Sequence, residues 1–253
     1  KKFKISIPEV KKELIILRRK GFKSVELIGG ETTIEYHFLP LLEFTAKLFP
    51  EVGIVTNGRR LSNPEYVEKL YKICPQADVE IALHGSTAKI HESFTRTPGS
   101  FDQAMQGIKN VMQYKRKHPE LKGYFMTNML ILNFNKHDII NVYKILIDLG
   151  ATDEWCILPF APIRGRAEKF NKTLTPRYRE LLFLNELLKE ATQYFKSIDL
   201  NEFLYCMFDT EFLANDKLHI INSEIIEMDK ENNVIGNFNP TFSFNEIKYI
   251  SNY

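Results

Sequence analysis

The stretch VELIGGETTIEYHFLPLL, residues 25–42, begins with the pattern of a buried strand and ends with that of a helix. Two glycines and a carboxylate, Gly29, Gly30 and Glu31, lie at the joint. Glycine adopts backbone conformations that other residues avoid and lets a ligand approach the main chain, and a carboxylate accepts hydrogen bonds from an ammonium group. The joint therefore predicts a binding site for an amino acid. The alternative is a tight turn in which Glu31 is a solvated cap.

The change from strand to helix repeats along the chain. Short β-branched or aromatic runs predict strands that are buried on both faces, at 24–29, 52–57, 79–85, 125–133 and 154–160. Helical spacing predicts helices at about 7–20, 36–48, 64–73, 101–117, 137–149 and 176–195, three of them beginning at the capping sequences SIPE, SNPE and SFDQ. Strands that alternate with helices form right-handed parallel units, and five or six such units curl into a full or partial barrel.

Ligands of such folds bind at the carboxyl ends of the strands, where the segments GGE, TNG, LHG, LN and LPF fall. From about residue 198 the alternation gives way to HIINSEIIEMDKENNVIGNF, which predicts a hairpin turning at DKENN, residues 229–233. We therefore expect an α/β protein with two domains: a partial (β/α) TIM-like barrel in residues 1–197 and a small C-terminal hairpin extension in residues 198–253.

Composition excludes several function classes. Lys and Arg total 34 against 32 Asp and Glu, and this net charge of +2 gives no case for nucleic acid or a membrane surface as partner. No run approaches about 18 consecutive apolar residues, and the start KKFKISIPEV lacks the apolar core of a signal peptide. Three widely spaced cysteines, Cys74, Cys156 and Cys206, form no CxxC pair and predict reduced thiols. We expect a cytoplasmic protein.

The strand-end segments resemble those of one enzyme superfamily. GGE (29–31), VTNG (55–58), LHG (83–85) with the following HESFTRTPGSFDQAMQGI, and LPFAPIRGRA (158–167) are similar in order and spacing to segments of radical S-adenosylmethionine (SAM) enzymes, especially the peptide-modifying and cofactor-building members. The resemblance runs from the first predicted helix to residue 167. It implies a partial barrel of the radical SAM type.

The resemblance also implies where SAM binds. In such enzymes the GGE segment binds the amino group of the methionine moiety of SAM, so Gly29, Gly30 and Glu31 inherit that role here. Thr56 and Asn57 would line the same rim of the barrel.

Four further positions are candidate SAM contacts, each with a plain structural alternative. Arg96 resembles an arginine that holds the methionine carboxylate, and otherwise it is a surface charge in a loop. His84 at a strand end would face the pocket, or else be a satisfied turn histidine. Asn133 and Leu158 end two strands and would contact the ribose and adenine, or else be strand-end packing.

The resemblance implies a 4Fe–4S cluster, and here the sequence departs from the family. The defining CxxxCxxC, whose thiolates hold the cluster while SAM fills the open iron site, is absent from the 253 residues. The family places that loop before the helix that leads into GGE, and this chain starts almost at that helix. We therefore expect the natural polypeptide to extend upstream and to carry the cluster loop and a first strand. Smaller departures are GGETT in place of GGEPT, and Ala82 where relatives often carry serine.

The segment FLYCMF around Cys206 resembles the start of a C-terminal extension that carries an auxiliary iron–sulfur cluster in some members of the family. No further cysteine follows Cys206 in the sequence. Cys206 is therefore either a ligand of such an auxiliary cluster or a buried small hydrophobic residue, as free cysteines usually are.

For the complete protein, the resemblance implies an enzyme. Its cluster would pass one electron to SAM, which is cleaved to methionine and a 5′-deoxyadenosyl radical that abstracts hydrogen from a peptide or small biosynthetic substrate. The electron donor would be a protein such as a flavodoxin or ferredoxin.

Two alternative functions stay open. One is a degenerate, cluster-less barrel acting as a substrate-binding or scaffold module. The other is an unrelated barrel enzyme for a phosphorylated metabolite, for which Arg164-Gly165-Arg166 offers the nearest likeness to a phosphate loop.

Overall fold

A computed structural model describes residues 6–159, 191, 193–195, 197–199, 218–221, 224–228 and 234–237. Its main sheet contains six parallel strands in sequence order: β1 (Ser24–Leu27), β2 (Glu51–Thr56), β3 (Ala77–Ala82), β4 (Phe125–Ile131), β5 (Glu154–Pro159) and β6 (Ser197–Asp199). The described helices are α1 (Ile7–Arg19), α2 (Phe38–Leu48), α3 (Pro64–Ile73), α4 (Ala88–Thr95), α5 (Ser100–Lys117) and α6 (Ile139–Leu149). The predicted α/β class is confirmed, and within the described residues the sheet does not close, as expected of a partial barrel.

The two faces of the sheet differ in burial. Parallel register puts Ile54, Val79 and Phe125 in one row, and all three are fully buried in a single core with the helices. On the opposite face most side chains are half-buried and many are polar. There the amide group of the buried Asn128 donates a hydrogen bond to the carboxylate of the half-buried Glu80. The expectation that the strands are buried on both faces is therefore wrong, because the helical core covers one face.

Helices α3 and α1 differ in the capping of their first turns. Asn63 caps α3, and its Oδ1 accepts a hydrogen bond from the Glu65 amide at 2.9 Å, as the SNPE sequence predicts. Ser6 occupies the corresponding position of α1, but its side chain makes no capping hydrogen bond. The capping box expected from SIPE is thus absent at α1, although the helix begins where predicted.

The region between β3 and β4 departs most from the sequence-based expectation. It contains the additional helix α4, which begins after Thr87, whose hydroxyl accepts from the Ile90 amide. Helix α5 then begins at Ser100, and the hydroxyl of Ser100 contacts that of Thr95 at 2.7 Å instead of capping α5. The predicted cap at SFDQ is therefore wrong, because that hydroxyl is used to join α4 to α5.

A second, antiparallel sheet consists of β7 (Leu218–Ile221), β8 (Glu224–Met228) and β9 (Val234–Asn237). The pairing of β8 with β9 agrees with the hairpin predicted around residues 229–233. The division at residue 197 stays a prediction, and β6 spans that boundary. The segment 160–167, most of the predicted helix 176–195, and Cys206 lie outside the described residues. In the described part of the chain no helix combines the length and apolarity that crossing a bilayer requires.

Candidate functional site

The carboxylate of Glu31 lies between the loop after β1 and the end of β2. Its Oε1 accepts hydrogen bonds from the Thr33 amide (3.1 Å), the Thr33 hydroxyl (2.5 Å) and the Thr56 hydroxyl (2.6 Å). Its Oε2 accepts from the Asn57 amide at 2.7 Å. Glu31 thus caps the turn that follows it, as the tight-turn alternative predicts. Its carboxylate is also fixed by groups at the end of the neighbouring strand β2.

The loop that carries Glu31 is tied to two other elements. Residues Thr32–Ile34 form a short 3-10 turn, and the Thr32 hydroxyl donates to the Val55 carbonyl of β2 at 3.3 Å. The hydroxyl of Tyr66 on α3 donates to the Thr33 carbonyl at 2.9 Å. The position of the carboxylate is therefore set jointly by this turn, β2 and α3.

The hydrogen bonds leave part of the Glu31 carboxylate available. A carboxylate offers about four acceptor sites, two on each oxygen. Oε1 already has three donors, whereas Oε2 has one, the Asn57 amide. An acceptor site on Oε2 therefore remains for a further donor, and an ammonium group would form a charge-assisted hydrogen bond there.

Gly29 and Gly30 are exposed, and their backbone does not require glycine. Neither residue has a positive φ, and a Cβ added at either would meet no atom within 4 Å. The expectation that these glycines supply an unusual backbone conformation is wrong. What the structure does show at both positions is open space beside the main chain, which a ligand can approach.

The glycine that the backbone does require is Gly58, in the turn after β2. Its φ is +73°, and a Cβ would lie 2.7 Å from Cγ2 of Ile81. Across the turn, a Cβ on Gly107 of α5 would lie 2.5 Å from the Gly58 carbonyl oxygen. The turn is therefore packed closely between β3 and α5, and this packing holds the neighbouring Asn57 amide toward Glu31.

Thr56 and Asn57 lie beside Glu31, as the sequence predicted. Thr56 is buried, and its hydroxyl donates to Glu31, so it is placed to hold the carboxylate. The side chain of Asn57 is occupied within the turn, where its Oδ1 accepts from the Arg59 amide at 3.0 Å. The main-chain amide of Asn57 makes the contact with Glu31. All residues except proline carry such an amide, so the residue type at position 57 does not predict this contact.

His84 belongs to a separate buried network. Its Nδ1 accepts from the Leu130 amide (3.2 Å), its own amide donates to Nδ1 of His91 (3.2 Å), and its carbonyl accepts from the Asn135 amide group (2.9 Å). Burial, with the nearby His91 as a second cause, lowers the pKa of His84 to about 3, and burial lowers that of His91 to about 4. These contacts match the alternative in which His84 is a turn histidine whose hydrogen bonds are made within the protein.

Asn135 and Asp138, which were not predicted from the sequence, join the loop after β4 to the loop after β3. Asn135 is fully buried, and its Oδ1 accepts from the Leu132 amide at 2.7 Å. Asp138 accepts from the amide (2.5 Å) and the hydroxyl (2.6 Å) of Ser86, which follows the LHG segment. The polar run NKHD, which begins two residues after the end of a predicted strand, was the signal that could have indicated this junction.

Arg96 ends α4 in the left-handed conformation, with φ 54° and ψ 29°. It is the only residue other than glycine with a positive φ in the described part of the chain. Its side chain is exposed and forms no ion pair with another described residue. An exposed guanidinium fits both the predicted carboxylate contact and the surface-charge alternative.

Asn133 and Leu158 lie at the ends of β4 and β5. Asn133 is half-buried, and its Oδ1 is 3.5 Å from Nζ of Lys136, a buried lysine that no motif in the sequence indicated. Leu158 pairs in register with Leu130. β4 ends two residues before Asn133, whereas Leu158 lies within β5, one residue before its end.

The described cysteines do not form a cluster site. Cys74 is buried at the end of α3, where burial raises the pKa of its thiol to about 12, and Cys156 lies within β5. In the described residues no group of three or more His, Cys, Asp and Glu side chains is arranged to hold a metal ion. Cys206 lies outside those residues.

Comparison with known proteins places these features in a family context. The family model described as the Radical SAM superfamily matches residues 1–146. The subtilosin biosynthesis protein AlbA of Bacillus subtilis is 28% identical over 148 residues, which cover 58% of this chain and 31% of AlbA. The mycofactocin maturase MftC of Mycobacterium tuberculosis is 33% identical over 95 residues, which cover 38% of this chain and 24% of MftC. The chain thus spans less than a third of the length of these relatives.

Solved structures agree on the fold. SuiB of Streptococcus suis bound to S-adenosylmethionine superposes with a TM-score of 0.59 at 19% identity, covering 79% of this chain and 45% of SuiB. SuiB bound to its precursor peptide SuiA gives a TM-score of 0.60 at 16% identity, covering 87% of this chain and 46% of SuiB. The predicted partial barrel is therefore confirmed by the shape as well as by the order of its elements.

Proposed function

The chain belongs to the radical SAM superfamily, and from that membership we propose that its GGE loop binds the methionine moiety of SAM in a peptide-modifying radical SAM enzyme. The observation that carries the binding site is the Glu31 carboxylate, which is held by four hydrogen bonds with an acceptor site left on Oε2. The ammonium group of SAM would take that site.

The other groups around Glu31 suit the same ligand. The open space beside Gly29 and Gly30 leaves room for the methionine backbone against the main chain. Arg96 would pair with the methionine carboxylate, since its guanidinium is exposed and a bidentate contact suits a carboxylate. Asn133 and Leu158 would contact the ribose and adenine. We propose that His84 shapes the strand ends from beneath, because its acceptor nitrogen is used by the Leu130 amide.

The residues of this chain do not fit the 4Fe–4S cluster that radical SAM enzymes use. The CxxxCxxC sequence is absent from the 253 residues, and Cys74 and Cys156 occupy a helix end and a strand. The proposed enzymatic activity depends on thiolates from outside these residues. The task that we assign to this chain is to bind and orient SAM and to exclude water from it.

A peptide substrate is supported by the relatives. AlbA is named for the biosynthesis of a bacteriocin, MftC is named a maturase, and one SuiB structure contains a precursor peptide. We infer from these names that the complete protein acts on a peptide. A flavodoxin or ferredoxin as electron donor and a cytoplasmic location stay predictions.

Calorimetric titration of SAM into the full-length protein, reconstituted anaerobically with iron and sulfide, tests the binding site. We expect Glu31→Gln to weaken binding by about tenfold to a hundredfold, because a hydrogen bond to a charged group contributes about 1.5–3 kcal/mol. Glu35→Gln, at a nearby residue whose carboxylate makes no described contact with Glu31, is the matched control and should bind like the wild type.

Two results would contradict the proposal. Absence of heat with the wild-type protein would remove SAM as the ligand, and equal affinity of Glu31→Gln and wild type would remove Glu31 from the site. Binding of SAM by a protein that shows no cluster absorbance and forms no 5′-deoxyadenosine under reductant would favour the cluster-less binding module instead.

A further inference from the structure

Tyr66 is a buried residue of α3 that reaches the loop carrying Glu31. It is 7% exposed, and its hydroxyl donates to the Thr33 carbonyl at 2.9 Å. The Arg60 guanidinium lies 5.0 Å from the centre of its ring and covers one side of it. Burial raises the pKa of Tyr66 to about 12, so the hydroxyl stays protonated and keeps donating at any pH at which the protein is used.

Thr33 is the residue through which Tyr66 reaches the site. Thr33 supplies two of the four hydrogen bonds to Glu31, from its amide and its hydroxyl, and both go to Oε1. The Thr33 side chain is also buried, 3.4 Å from the Thr56 hydroxyl, which is a third donor to the same oxygen. Fixing the Thr33 carbonyl therefore fixes the groups that orient the carboxylate.

We infer that Tyr66 is a positioning residue of the SAM site, acting through Thr33 to aim the free acceptor site of Glu31 at the methionine ammonium. The inference rests on the proposed role of Glu31. Tyr66 does not itself contact Glu31 by a hydrogen bond in the structure, so its effect on the ligand is indirect.

Tyr66→Phe is the direct test, because it removes one oxygen atom and leaves the ring. The Thr33 carbonyl then loses its donor, and the loop is free to shift Oε1 and Oε2. We expect the affinity for SAM to fall by about threefold to tenfold, the effect of one neutral hydrogen bond. The affinity for 5′-methylthioadenosine, which lacks the amino-acid arm, should stay within twofold, since no ammonium is present to be aimed at.

Tyr71→Phe is the matched control on the same helix. Tyr71 is 1% exposed, and its hydroxyl has no hydrogen-bond partner among the described residues. This variant removes the same atom from the same kind of buried ring, but that atom holds nothing in the Glu31 loop. We expect both ligands to bind Tyr71→Phe as they bind the wild type.

The outcomes separate the inference from the proposed function. Wild-type protein that does not bind SAM removes the proposed function, whereas wild-type binding with an unchanged Tyr66→Phe removes only the inference. Equal weakening of SAM and 5′-methylthioadenosine by Tyr66→Phe would show a general structural role and also overturns it. Should Tyr66→Phe fail to fold, Tyr66→Met, which also lacks the hydroxyl that donates to the Thr33 carbonyl, takes its place. It should weaken the binding of SAM and not that of 5′-methylthioadenosine, and any other pattern overturns the inference.

Discussion

The glycines after β1 and after β2 differ in whether the backbone requires glycine at their positions. Gly29 and Gly30 have ordinary backbone conformations and open surroundings, whereas Gly58 has a positive φ and closely packed neighbours. A GG pair attracts attention in a sequence, but the requirement for glycine lies one strand further on. The distinction is testable because alanine adds the same single methyl group at either place.

Gly58→Ala should destabilise the protein by about 2–4 kcal/mol, from the left-handed backbone and the overpacking of Ile81. Gly30→Ala should leave the free energy of unfolding within about 0.5 kcal/mol of the wild type, because its Cβ meets no atom. Urea denaturation of both variants provides the comparison. Similar midpoints for the two variants would contradict this interpretation of the two glycines.

The candidate site could be predicted from the sequence as far as strand order allows. Glu31, Thr56 and Asn57 follow neighbouring parallel strands, so their proximity was predictable without coordinates. The contact between Tyr66 and Thr33 spans 33 residues, and that between Asn135 and His84 spans 51. Such contacts depend on how a helix or loop is turned against the sheet, which hydrophobic periodicity does not encode.

At the scale of elements, helices α1 and α3 have similar sequences at their N-termini but differ in capping. Asn63 makes a capping hydrogen bond at the start of α3, while Ser6 at the start of α1 makes none. Both sequences place a proline in the first turn, Pro64 directly after Asn63 and Pro8 two residues after Ser6, so residue type alone does not distinguish them.

Asn63→Ala should therefore lower the free energy of unfolding by about 1 kcal/mol, the usual contribution of a cap. Ser6→Ala is the control and should change it by less than about 0.5 kcal/mol. Thermal unfolding of the two variants and the wild type would measure both. A loss for Ser6→Ala that equals the loss for Asn63→Ala would show that the hydrogen bond is not the cause.

The predicted elements follow the strength of their patterns. Strands and long helices were found within a few residues because apolar periodicity is sustained over their length. Helix α4 has eight residues and was missed, since so short an element carries little periodicity. Predicted strands ran two residues too far at Gly29 and Asn133, where the backbone leaves the sheet to form the site loops.

At the scale of the whole molecule, the buried histidine pair limits stability in acid. The folded state holds His84 and His91 neutral, with their pKa values lowered to about 3 and 4, whereas an imidazole in the unfolded chain titrates near 6.5. The unfolded state therefore binds more protons below pH 6.5. Their contribution to stability is fully present above that pH and is lost as the pH falls toward 4.

Each imidazole should reduce the free energy of unfolding by about 1.4 kcal/mol per pH unit in this window. Urea denaturation at pH 7.5 and at pH 5 would measure the change. His84→Asn offers an amide oxygen to the Leu130 amide without titrating, so it should flatten the profile. A wild-type free energy of unfolding that is the same at both pH values would contradict this assignment.

The unequal faces of the sheet have an evolutionary consequence. Along β3 alternate residues face either the closed apolar core or the half-buried polar side that carries Glu80. Substitutions on the first side change the packing of the core and therefore the stability of the fold. Substitutions on the second side change which molecules the protein can bind. Relatives can therefore inherit one scaffold and diverge in chemistry, because selection acts on the two sets of alternating positions separately.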